Sequence, residues 1–97
     1  MGYFACTYEY GPADVQAKFG PEHRAYLSGL LADNKLAASG PFESEEKPGA
    51  LLLLIGDSLE EAEELIAADP MYAGGAVLSY QPRPWNPVFG QVGSPSS

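Results

Sequence analysis

The sequence predicts an α+β domain in which a four-stranded antiparallel sheet carries two helices on one face. Three observations predict it. A strand-like, aromatic-rich stretch opens the chain, two later segments space their apolar residues at helical intervals, and the order strand, helix, strand occurs twice in succession.

The first strand is Tyr3 to Tyr10, where Tyr3, Ala5, Thr7 and Glu9 alternate with Phe4, Cys6, Tyr8 and Tyr10. Gly11-Pro12 breaks it, and Asp14 is placed to cap a short helical turn through Phe19. Gly20-Pro21 then punctuates the chain before a longer helix from Pro21 to Asp33. Proline suits a first helical position because its missing N–H would be unsatisfied there anyway. Ala25, Tyr26, Leu27, Leu30 and Leu31 supply the apolar stripe of this helix.

The second strand is Leu36 to Phe42, with Ser39-Gly40-Pro41 as a turn at its end, and Glu43 to Gly49 is a polar connection. Ala50 to Ile55 forms an unbroken apolar strand. Ser58 with Glu61 three residues on is a capping-box pattern that starts the second helix, buried through Leu59, Ala62, Leu65 and Ile66. Pro70 ends that helix at Asp69, because the residue before a proline is disfavoured in helical geometry. Met71 to Gly75 makes a compact turn or short helical piece. Ala76 to Gln81 is the last strand, broken by Pro82 and Pro84 before Trp85. This split pair of βαβ units is the ferredoxin-like pattern. Residues 1–89 form the single domain, and 90–97, rich in Gly, Ser and Pro, form a disordered tail.

At 97 residues the chain is one domain with a modest core. Its net charge of -8 arises from 13 acidic residues against five scattered cations, Lys18, Arg24, Lys35, Lys47 and Arg83. A phosphate backbone is therefore an unfavourable partner, which excludes a nucleic-acid role. The same deficit disfavours an anionic membrane surface, and no apolar run approaches the ~20 residues of a spanning helix. Cys6 cannot form an internal disulfide, being the one cysteine, and its strand context makes it a small packing hydrophobe. No basic n-region or apolar h-region opens the chain, so a cytoplasmic location is expected.

Little in the sequence can do chemistry. His23 is the single histidine, and a lone histidine near a helix start is ordinarily a solvated or satisfied structural residue. Asp69 stands where the second helix ends, the unfavourable pole of the dipole for an anion, and Asp-Pro is also a common turn opener. With one His, one Cys and no zinc-like spacing, no metal centre is expected. The glycines match neither a P-loop nor a dinucleotide fingerprint, so no cofactor is expected either.

Taken together, Pro21-Glu22-His23 followed by Leu27, Ser39-Gly40-Pro41, Ser58-Leu59-Glu60-Glu61-Ala62, Ala68-Asp69-Pro70 and Arg83-Pro84-Trp85 resemble the YciI-like (YCII-related) family, from Tyr3 to about Phe89. The resemblance implies a ferredoxin-like protomer of the dimeric α/β-barrel type and a site centred on His23 and Asp69. One position departs from the family, Gly20, where an arginine is frequent. Arg24 projects about 100° around the helix from its neighbour His23 and is given no role.

The reading that follows is a small cofactor-independent enzyme of lyase or isomerase type. His23 moves a proton on a small cyclic or enolisable metabolite, and Asp69 orients its ring. Ser39, Gly40, Phe42, Tyr72 and Trp85 are the candidate substrate-binding residues. The alternative is a non-catalytic module that binds a small molecule or serves dimeric interaction. One geometric difficulty accompanies the pair. If the two helices run roughly parallel, the start of one and the end of the other lie ~18 Å apart. A homodimer is expected because Leu51 to Leu54 demand burial on both faces of one strand.

Overall fold

Among the described residues, 2–43, 46 and 48–90 of a computed structural model, the chain forms β1 (Gly2–Tyr10), α1 (Ala13–Ala32), β2 (Leu36–Pro41), β3 (Gly49–Gly56), α2 (Leu59–Ala67), α3 (Pro70–Ala73) and β4 (Val77–Trp85). Every strand pairing is antiparallel, in the order β2-β3-β1-β4. This is the ferredoxin-like α+β arrangement. Residues 91–97, most of the expected tail, lie outside the described residues. No helix of the described residues is long and apolar enough to cross a membrane.

Side-chain alternation divides the sheet. On β1, Phe4, Cys6 and Tyr8 face the helices, opposite Leu54, Leu52 and Ala50 of β3. Leu54 and Cys6 are fully buried. Burial pushes the Cys6 thiol up to about 11, so it stays protonated and packs as an apolar group. The other face presents Ala5, Leu51 and Leu53, so the consecutive leucines do serve two faces.

Helix α1 departs from the sequence reading. It is one helix of 20 residues that runs through Pro21, rather than a short turn followed by a helix starting there. Proline removes the bond to the carbonyl four residues earlier, here that of Ala17, an exposed residue whose carbonyl water can solvate. Packing outweighs this loss, because Val15 and Phe19 in the first half of the helix lie against the core. The buried stripe shifts accordingly to Gly20, His23 and Leu30, with Phe19, Tyr26 and Leu27 half-buried beside it, while Ala25 and Leu31 are exposed. At the far end the Lys35 N–H donates to the Leu30 carbonyl at 2.8 Å and the Asn34 N–H to that of Leu31 at 3.2 Å. Asn34, at φ 60°, takes the left-handed position that closes such a terminus.

Two further differences concern strands. Strand β4 continues through Pro82 and Pro84 to Trp85, because it is an edge strand, where a proline's missing N–H falls on the solvent side. Ser39-Gly40-Pro41 is not a turn but the end of β2. A bulge between Leu36 and Ala38 shifts the register there, so Leu36 pairs with Leu54 whereas Ser39 pairs with Leu52. The extra residue turns Ser39 toward the helices, a side that simple alternation from Leu36 would deny it.

Helix α2 starts as expected. Ser58 Oγ accepts from the Glu61 N–H at 3.1 Å, and Glu61 reaches back to accept from the Asp57 N–H. At its other end the Asp69 N–H bonds the Ile66 carbonyl, and Tyr26 Oη donates to the Leu65 carbonyl at 2.6 Å. A carbonyl left over at a helix end is thus satisfied by a side chain of α1. Tyr26→Phe is expected to lower stability by about 1–2 kcal/mol, because the acceptor stays half-buried without its donor. A lower urea midpoint with an unchanged slope is the check.

Candidate active site

His23 sits near the middle of α1 on its core-facing stripe, so its imidazole enters the interior and requires a polar partner there. Asp69 provides it. Its Oδ2 lies 2.6 Å from His23 Nδ1, and both residues are buried, at 8% and 4% exposure. The ~18 Å separation inferred from the sequence disappears for a local reason: α1 begins eight residues before Pro21, which sets His23 at mid-helix beside the junction of α2 and α3. The pair forms within one chain.

Asp69 is fixed from both oxygens. It is the N-cap of α3, and its Oδ1 accepts the Met71 N–H at 2.9 Å. The sequence reading placed this acid at the unfavourable end of one helix. The structure places it at the favourable end of the next. A carboxylate only accepts, so Nδ1 carries the proton and Nε2 of the neutral ring is left as an acceptor. Among the described residues Nε2 has no hydrogen-bond partner, and no buried side-chain nitrogen or oxygen there lacks one, so this atom is not sealed from the surface.

His23 lines a cavity of about 190 Å³ together with Tyr8, Tyr10, Ala50, Leu52 and, at its rim, Arg24 and Ser39. Cavities of about 150 Å³ hold a benzene ring, so the volume of this one is that of a single substituted ring. Tyr8 and Tyr10 stand edge to face with ring centroids 5.4 Å apart. Burial pushes both phenols up; the hydrogen bond between the two hydroxyls raises Tyr8 further and partly offsets the rise at Tyr10, and the Asp69 carboxylate adds a little to both, so both remain neutral. Sequence reasoning missed these tyrosines as site residues. Their signal was present in the alternation that sets Tyr8 and Tyr10 on the same side of β1 as Cys6.

The candidate binding residues divide. Ser39 and Gly40 line the His23 cavity. They also border a second cavity of about 280 Å³ on the helix-free face, lined with Phe42, Leu51 and Leu53. Tyr72 packs edge to face on Tyr80 at 5.2 Å, and Trp85 does so on Tyr3 at 6.2 Å. Neither lines the His23 cavity. Among the described residues no group of three or more His, Cys, Asp or Glu side chains is placed to hold a metal ion.

Fold and site together define a small ferredoxin-like α+β protein with a buried histidine–aspartate pair at a ring-sized cavity. The chain belongs to the YCII-related domain family, whose model matches residues 2–86. It is 40% identical over 63 residues to the uncharacterized protein YjpA of Bacillus subtilis (strain 168), covering 61% of this chain and 72% of that one. Among solved structures it is similar to the 5-chloro-2-hydroxyhydroquinone dehydrochlorinase TftG of Burkholderia phenoliruptrix AC1100, in complex with 2,5-dihydroxybenzoquinone. The TM-score is 0.71 at 20% identity, covering 87% of this chain and 93% of TftG. A NIPSNAP domain protein from Burkholderia xenovorans matches at TM-score 0.56 and 14% identity, covering 91% and 95%. Identities this low speak for the shared fold.

Proposed function

We propose that this protein is a small cofactor-independent enzyme of lyase or isomerase type that moves a proton on a small cyclic or enolisable metabolite. The observation that carries the reading is the 2.6 Å contact of His23 Nδ1 with Asp69, which leaves Nε2 free at the cavity. In the proposed step Nε2 takes a proton from a carbon next to a carbonyl, and the electron pair of the broken C–H bond moves to the carbonyl oxygen as an enolate. Asp69 stabilises the imidazolium that forms. The same proton then returns to a different carbon in an isomerisation. In an elimination the enolate instead expels a leaving group as an anion, and the imidazolium gives its proton to solvent. Tyr10, a neutral phenol that accepts the Tyr8 hydroxyl, is the donor for the developing oxyanion. The resemblance in fold to a dehydrochlorinase bound to a hydroxyquinone supports a ring compound as the substrate class.

The reading includes a homodimer packed sheet against sheet. Ala5, Leu51 and Leu53 occupy the helix-free face, with Phe42 and Trp85 exposed at 47% and 42%. A second copy is the natural cover for that apolar surface. Because Ser39 and Gly40 line cavities on both faces of the sheet, the interface would border the site.

The test is carbon-bound deuterium exchange in D₂O, followed by proton NMR, with cyclohexanone and cyclohex-2-enone, whose α-protons stay on carbon at neutral pH, as enolisable probes. Exchange accelerated over the protein-free rate is expected for at least one of them. Binding at the cavity with no acceleration for either would replace the enzyme by the non-catalytic binding module.

A further inference from the structure

We infer that Arg24 is the anchor for an anionic group of the substrate, a carboxylate, enolate or phenolate oxygen held at the rim of the His23 cavity. The inference deepens the reading of that cavity as the substrate site and rests on it.

Three observations converge on Arg24. Among the described residues it is the one permanent cation lining the cavity, and no carboxylate lines it. A chain with 13 acidic residues offers many partners, yet among the described residues Arg24 makes no ion pair or hydrogen bond. Its guanidinium is also seated. A Cβ built on Gly20 would lie 3.2 Å from Arg24 Nη1, so the side chain folds back one helical turn over the bare glycine. A methyl at position 20 would press on that seat, and the guanidinium would have to give by a few tenths of an ångström.

The seat lies at a junction. Arg24, Leu27 and Ser39 line both the His23 cavity and an adjoining one of about 380 Å³ that continues past Leu31 and Leu36. A molecule whose ring reaches His23 therefore presents its next substituent to the guanidinium and the Ser39 hydroxyl. The planar guanidinium fork matches two oxygens of one anion, and an amide of the same shape offers only one acceptor and no charge.

Benzoate and its neutral isostere benzamide separate charge from shape. Titration of the ¹⁵N-labelled protein is expected to shift the Arg24 Nε–H and His23 ring signals with benzoate, and about tenfold more weakly with benzamide. Arg24→Gln should erase that preference and Arg24→Lys restore part of it. Gly20→Ala, which favours the helix, should weaken benzoate alone by crowding the guanidinium. Equal affinity for the two probes, or a preference that survives Arg24→Gln, overturns the inference. So does the absence of any shift at Arg24 and His23. Equal binding at the cavity leaves the proton-transfer reading standing, whereas selective benzoate binding in a protein that exchanges no carbon-bound proton overturns that reading and keeps the anion site.

Discussion

His23→Gln is expected to lower enzyme-dependent deuterium exchange by about 10²–10⁴-fold while leaving the fold intact. An amide cannot take a proton near neutral pH, so the base is lost outright. The fold survives because a glutamine N–H₂ can still donate toward Asp69 Oδ2, and the buried carboxylate keeps a partner. Thermal melting within a few degrees of wild type separates lost chemistry from lost structure. Exchange at the wild-type rate would reassign His23 to binding.

Asp69→Asn is nearly as damaging by the same logic. The carboxylate serves two donors, His23 Nδ1 and the Met71 N–H, with one oxygen each. An asparagine has a single oxygen for both. If that oxygen keeps the α3 cap, its N–H₂ faces Nδ1 and drives the proton onto Nε2, the atom that must accept one. If it turns to the histidine, the cap is lost, at about 1 kcal/mol.

Local signals carried most of the fold. The Ser58–Glu61 capping box, the alternation in β1 and the two-faced run Leu51 to Leu54 each depend on neighbours within a few residues, and each appears in the structure as read. What could not be read depends on distant partners. Gly20-Pro21 is punctuation in isolation, yet α1 passes through it because Val15 and Phe19 are held against the core. Pro82 and Pro84 break a central strand but not an edge strand, and edge position is a property of the sheet. The bulge at β2 that turns Ser39 inward has no marker in Leu36-Ala37-Ala38. The site was legible as two residues through a family resemblance, whereas their contact, across 46 positions, follows from the placement of α1 beside α3.

Leu53→Asp is expected to convert a dimer into monomers. Leu53 lies between Ala5 on β1 and Ala38 on β2, at the centre of the helix-free face, so a carboxylate there would sit unpaired in a sheet-to-sheet interface. Desolvating such a charge costs several kcal/mol, enough to separate partners that bury at least ~1,000 Å². Its neighbour supplies the control. Leu52 is 3% exposed and packs under the helices, so Leu52→Asp should unfold the protomer itself, whereas Leu53→Asp should leave it folded. Light scattering after size exclusion at micromolar concentration is the measurement, with circular dichroism to report folding. Wild type should scatter as twice the 10.3 kDa chain mass and Leu53→Asp as a single folded chain. A wild-type protein that elutes as a clean monomer overturns the assembly, and the apolar face of Leu51 and Leu53 would then need a different cover.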